Sequence, residues 1–303
     1  MNGIEEHGLD HYALKSMDYG QLTGLALACH AIPDAFLLMH VGVGCKNKAT
    51  AHLLTHDWAE HGNVREGWTE VGDQDLILGA SERAGPYLRS WVKRLDPAVV
   101  VVTSVTFIDL AGEDLADRLV VAARDLPCPV LYVKTPGYDP DMYAGYAKLV
   151  LAVVEQADWS GEPTAPRQVT ILGSWFDRYE GDHEGNLQQL SALVRLAGLE
   201  PGPVLLSGKP WAELLQAPAS GLVLELPYTL PVRKRLRRRL KQRTVAQVDL
   251  PMGLTGTTRW VREVATAAGT LDAALERRLA SREAYVRGKL ATMVERWRSL
   301  RVA

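Results

Sequence analysis

Cysteine is scarce in this chain. Its three residues, Cys29, Cys45 and Cys128, are too few for a disulfide framework and are not spaced like a zinc signature. They matter either as thiolates or as small buried side chains. Long apolar runs are missing too: none reaches the roughly 20 residues a bilayer crossing needs. The opening segment from Met1 to Asp10 carries acids and lacks the apolar stretch of a signal peptide. The expectation is a cytoplasmic protein with no membrane partner. Nor is there an excess of one charge. With 34 basic and 36 acidic residues the formal net charge is -2, which leaves no field to recruit nucleic acid.

What is present is enough apolar material for real cores. Hydrophobic residues make up 47% of 303, which excludes wholesale disorder and suits two domains of ordinary size. Short apolar runs alternate with amphipathic helical stretches. Residues 35–40 (AFLLMH), 76–78, 98–103 (AVVVVT), 130–134, 169–173, 204–206, 222–226 and 244–248 read as strands. Most are β-branched or leucine-rich without strict alternation, as strands covered on both faces should be. Helices are expected between them, over 113–124 and over 186–197, the second stopped by Gly198. This alternation predicts an α/β fold of two Rossmann-like domains with mostly parallel sheets. A Pro/Gly/Ser-rich break at 159–166 separates a first domain (1–160) from a second (167–268), and a helical tail (269–303) follows. The tail's apolar stripe is expected to pack across the first domain or a partner chain. The run RKRLRRRLKQR at 233–243 places Leu236 and Leu240 on one helical face, so it reads as a solvated amphipathic helix ahead of a nucleic-acid patch.

In parallel sheets, ligands gather outside the C-terminal strand ends, so the strand-to-helix loops are the informative positions. In His40-Val-Gly-Val-Gly-Cys45, Gly42 and Gly44 let the backbone approach a bulky guest, and a thiolate there is a soft metal ligand. A packed thiol is the competing reading. His40, at the end of an apolar strand, is placed to give a proton or a hydrogen bond to a bound species. Cys29 lies in an apolar helical stretch and reads as core, and Cys128, between two prolines, reads likewise. His52 and His56, four apart with His61 beyond, have chelating spacing but read rather as a solvated helix face. The acids around Asp182 read as solvated. The loop 253–258 has free N–H groups and hydroxyls with which to hold an anion.

These segments, in this order, resemble the nitrogenase component 1 family, which includes nitrogenase subunits, their cofactor scaffold and dark-operative chlorophyll-type reductases. The strand into the His40–Cys45 turn resembles the family's cluster turn. The stretch 71–80 (VGDQDLILGA), the strand and Gly-acid helix start of 95–115, and the loop Thr135-Pro-Gly-Tyr138 follow in the family's order, as do 169–226, Pro251–Thr258 and Tyr285–Lys289. The resemblance implies that Cys45 is a cluster ligand, that His40 and Asp109 shape or protonate the pocket, and that Gly42, Gly44, Thr106 and Thr135 line it. It further implies a homo- or hetero-dimer with a component 1-like chain and an ATP-dependent iron–sulfur reductase as electron donor. The departures are specific. A family cysteine near Tyr19 or Gly20 is missing, Thr106 stands where the cluster-loop cysteine belongs, and Pro227 lies near the cofactor-anchoring cysteine of catalytic subunits. The sequence stops where a third α/β domain would begin. One cysteine cannot hold a [4Fe–4S] cluster; two chains pooling Cys45 with Cys29 would supply four thiolates. Two readings follow: a cluster-bearing oxidoreductase component, or a cluster-free carrier or assembly protein on the same fold.

Overall fold

The computed structural model describes residues 19–54, 65–110, 114–136, 141–176 and 182–298. Helix α1 (Gln21–His30) leads into β1 (Ala35–His40), α2 (Val43–Leu54), β2 (Glu66–Trp68), α3 (Asp73–Leu78), α4 (Ser81–Leu95), β3 (Val99–Ser104), α5 (Thr106–Leu110), α6 (Leu115–Ala123), β4 (Val130–Lys134) and α7 (Met142–Gln156). The second half runs β5 (Ala165–Leu172), α8 (His183–Leu196), β6 (Glu200–Val204), α9 (Trp211–Leu214), β7 (Ser220–Glu225), α10 (Arg233–Arg239), β8 (Thr244–Gln247), α11 (Gly253–Ala267) and α12 (Ala273–Arg298). Each half holds one four-stranded sheet, ordered β2-β1-β3-β4 and β6-β5-β7-β8, and every pairing is parallel.

The central strands β1 and β3 are buried at every residue, which is why they read as unbroken apolar runs rather than alternating ones. Alternation reappears in which core each side chain enters. Phe36, Leu38, Val100 and Val102 meet α4 and α6 on the outer face, whereas Leu37, Met39, Val99 and Val101 meet α1 and α7 on the inner face. That inner core does not stop at the first sheet. It takes in Leu172 and Val223 of the second sheet with Leu236 and Leu240 beside α10, so a middle layer of helices serves both sheets. The outer face of the second sheet, through Val169, Ile171, Leu222 and Leu224, packs on α8, α11 and α12. Burial of Leu236 and Leu240 confirms the amphipathic reading of the arginine run.

Two devices fix the middle layer. The first is a close crossing of α1 and α7, where Gly24 faces the Met142 carbonyl and Gly145 faces the Gln21 carbonyl with no room for a methyl group. The second is Tyr146, fully buried on α7. Its phenol oxygen accepts from the Phe176 N–H at 3.0 Å and lies 3.1 Å from the Ser174 and Leu206 carbonyls, either of which its single proton serves. The hydroxyl therefore pins the helix behind the first sheet to two loops of the second. Tyr146→Phe strands a buried N–H and a carbonyl while keeping the ring, so it should cost about 1–3 kcal/mol, measured by urea unfolding. A loss under about 0.5 kcal/mol would show that the pin is dispensable.

Three sequence expectations need correction. Residues 76–78 belong to helix α3: Asp75 accepts the Gly72 N–H at 2.8 Å and starts a helical turn, and the strand is Glu66–Trp68. The strand expected at 204–206 is instead Glu200–Val204, an edge strand that tolerates its prolines, while Leu206 turns into positive φ at 57°. The tail packs on the second sheet and not across the first domain, one of the two places expected for it. Leu275 and Leu279 enter the outer core of the second sheet, and Leu290, Met293 and Trp297 are exposed.

Candidate functional site

The chain leaves β1 toward β2 and leaves β3 toward β4, on opposite sides of the sheet. The C-terminal ends of β1 and β3 are thus a switch point, where loops diverge and a crevice opens. His40 closes β1, Gly42 turns the chain, and α2 begins at Val43. Cys45 therefore lies in the first turn of a helix and not in an open loop. Gly42 earns its place sterically: a Cβ there would come within 3.3 Å of the Val71 carbonyl and 3.6 Å of the Phe107 ring. Gly44 faces open space, so no described neighbour requires a glycine there. Cys45 is partly buried and packs against the inner core. Burial pushes its thiol above the ordinary range, and nearby Lys48 pulls part of the way back.

Around this thiol the same sheet end presents apolar side chains to solvent: Val43 is 54% exposed, Ile77 84% and Leu110 81%. They come from the segments after β1, β2 and β3. Thr106 opens α5 across the crevice, half-buried, with Phe107 behind it. His40 is fully buried, its Nδ1 2.8 Å from the Thr69 hydroxyl, so it supports the crevice from within. Thr135 is buried as well and spends its hydroxyl on Thr103 Oγ1 at 3.0 Å and the Ser104 carbonyl at 3.1 Å. The Asp109 side chain, His56, His61 and Asp177 lie outside the described residues, as does the side chain of His52.

The other two thiols are elsewhere in character. Cys29 is wholly inside the inner core on α1, and burial, with the Glu66 charge adding to it, drives its pKa far up. As folded, it offers no thiolate to a second chain. Cys128 is buried in the outer core and raised by burial, with Asp96 adding to the effect. Among the described residues no three His, Cys, Asp or Glu side chains come together as a metal site. Among the described residues, then, no complete ligand set for a [4Fe–4S] cluster is gathered. The expected anion loop at 253–258 is the start of α11, where Thr257 donates to the Pro251 carbonyl and Thr258 to the Leu254 carbonyl, while Thr255 is exposed.

One feature escaped the sequence reading. At the strand-end mouth of the second sheet, four rings from three segments pack together: Tyr143 and Tyr146 of α7, Trp175 after β5 and Tyr228 after β7. Ring centroids lie 4.6 Å apart for Tyr146–Trp175, 4.9 Å for Tyr143–Trp175 and 5.3 Å for Tyr143–Tyr228. The available signal was aromatic residues in strand-end loops, beside Gly173 and Pro227.

The sequence profile of the family described as nitrogenase component 1 type oxidoreductase matches residues 20–303. The chain belongs to the nitrogenase component 1 family. Its relatives include the nitrogenase iron-molybdenum cofactor biosynthesis protein NifN of Rhizobium meliloti (strain 1021), 27% identical over 187 residues, which are 60% of this chain and 41% of that protein. The cofactor biosynthesis protein NifE of Rippkaea orientalis is 26% identical over 162 residues, 50% of this chain and 33% of the relative. The chain thus spans less than half the length of these relatives. A solved structure titled nitrogenase Cp1 at pH 6.5 superposes with a TM-score of 0.64 over 92% of this chain and 55% of that one, at 14% identity, which establishes the shared fold. No helix among the described residues is long and apolar enough to cross a membrane.

Proposed function

We propose that this component 1-type chain is a carrier or assembly protein for a metallocofactor. In this reading it docks a related chain over the strand-end face of the first sheet, and Cys45 contributes one ligand to a cluster or cofactor held between the two. The carrying observation is the setting of Cys45: a half-buried thiol on the first turn of α2, with exposed apolar Val43, Ile77 and Leu110 on the segments that follow β1, β2 and β3 at the same sheet end. An apolar rim of this kind needs a partner surface, and a lone accessible thiol needs ligands from elsewhere. The relatives named as cofactor biosynthesis proteins support the carrier reading.

The rival is a redox component that takes electrons from an ATP-dependent iron–sulfur reductase. It requires a complete relay, and Thr106 and the buried Cys29 weigh against one within this chain. Anaerobic reconstitution with iron and sulfide separates the two. The carrier reading expects substoichiometric iron on the chain alone, a gain on adding the related chain, and loss of most of that gain in Cys45→Ser. Cys128→Ser should change nothing. Equal iron in wild type and Cys45→Ser would rule out Cys45 as a ligand, and a stoichiometric, reducible [4Fe–4S] cluster on the chain alone would favour the rival.

A further inference from the structure

Helix α12 carries a second surface, far in sequence from Cys45 and independent of it. A groove of about 770 Å³ runs between its first half and the end of α8, lined by Leu196, Arg277, Arg278, Ser281, Arg282 and Tyr285. Every polar group on that lining is a hydrogen-bond donor, and three of them are permanently charged guanidinium forks. None of the three has a carboxylate partner among the described residues. The acids that could have served them are committed elsewhere. Glu276 holds Arg262 through two bonds of 2.7 and 2.9 Å, and Glu283 holds Arg287 at 2.6 Å. Two backbone acceptors just past α8 are engaged as well, Ala197 O by Thr270 and Gly198 O by Arg167. The groove is therefore a concentration of positive charge without a counterion among the described residues, in a chain whose formal net charge is -2.

An apolar seam lies alongside. Leu275 and Leu279 are buried in the outer core of the second sheet. The same helical stripe continues through Val286, Leu290, Met293 and Trp297 at spacings of three and four residues. There it is bare: Leu290 and Met293 are each 47% exposed, and Trp297 61%. A small anion would satisfy the arginines and leave the seam wet. A second copy of α12 would bring a like-charged face against the groove, because Arg282, Arg287, Lys289, Arg296 and Arg298 outnumber the acids of that half. The occupant that fits both features has carboxylates on one side and aliphatic side chains on the other.

We infer that the α8–α12 groove and the bare seam of α12 form a docking site for an acidic amphipathic helix of a partner protein. The guanidinium forks take its carboxylates in pairs, and Leu290, Met293 and Trp297 take its apolar stripe.

The test uses the full chain and a fluorescent designed peptide with glutamates on one helical face and leucines on the other, followed by anisotropy at physiological salt. The peptide should bind, and affinity should fall at least about tenfold in Arg277→Glu/Arg278→Glu/Arg282→Glu and in Leu290→Ser/Trp297→Ser, with a steep salt dependence for the wild type. These side chains are exposed, so melting temperatures should hold; if the triple variant melts early, Arg278→Gln must still weaken binding by a measurable factor. Equal affinity in wild type and variants overturns the proposal. So does equal binding of a peptide with lysine in place of glutamate. Displacement by inorganic pyrophosphate or single-stranded DNA, with Leu290→Ser/Trp297→Ser without effect, would make the groove a simple anion site and overturn it too.

Discussion

Replacing Gly145 by alanine should lower the melting temperature by roughly 5 °C, which corresponds to about 3 kcal/mol for a chain of this size. The methyl group would fall inside the van der Waals envelope of the Gln21 carbonyl, and the neighbouring atoms are backbone, so no rotamer change relieves the clash. The helices must separate. Separation opens the inner core along Leu25, Ala28, Leu149 and Val153, where small gaps forfeit dispersion contacts and larger ones admit water. Gly24→Ala meets the Met142 carbonyl in the same way and should be comparable. Gly44→Ala is the contrasting case: nothing lies near its Cβ position, so thermal stability should move by less than about 1 kcal/mol, in the favourable direction if at all. Thermal scans of the three variants decide the matter. If Gly145→Ala melts with wild type, the close crossing of α1 and α7 is not as described.

Arg233→Met is the second substitution with a large expected cost, about 3 kcal/mol. Glu225 ends β7 with a side chain that is 0% exposed, and its charge is met by Arg233 Nε at 3.5 Å. Gln247 donates to its Oε2 at 2.9 Å, and Oε1 has no hydrogen-bond partner among the described residues. With the guanidinium gone, a buried carboxylate is left with one neutral donor. The penalty comes from desolvation left uncompensated, so it should vanish largely when both charges go together. Glu225→Leu/Arg233→Met should recover most of the loss, because an apolar pair asks nothing of its surroundings. A double variant no more stable than Arg233→Met would locate the cost in lost packing of the arginine stem. Urea titrations of the four proteins close the cycle.

Much of the fold was legible because burial on both faces leaves a plain mark. The strands Ala35–His40 and Val99–Ser104 are apolar through Met39 and Val102, and the four valines of the second favour a strand over a helix. The segment Asp73–Leu78 misled because three apolar residues in a row carry no period; the decisive residue was Asp75, which bonds back to Gly72. Glu200–Val204 was invisible as a strand because its residues are poor strand formers, and only the neighbouring β5 gives it partners. At the candidate site, the glycine-flanked Cys45 stood out as a local signal. The internal spending of Thr135 and the depth of Cys29 could not, since both depend on which neighbours the sheet brings near. The aromatic group of Tyr143, Tyr146, Trp175 and Tyr228 escaped for the same reason: its members come together only when the two sheets share a helical layer.

That shared layer also sets an order of events during synthesis. Helix α1 emerges from the ribosome early, yet its partner across the glycine crossing lies roughly 120 residues later, at Gly145. Until α7 has been made, β1 and β3 present one face of Leu37, Met39, Val99 and Val101 with half a cover, and the loops that Tyr146 ties down, at Ser174 and Leu206, arrive later still. Neither half can finish alone in the usual N-terminal-first manner. The nascent chain must carry an open apolar face until most of the second sheet has been translated, which places its aggregation risk early in its synthesis.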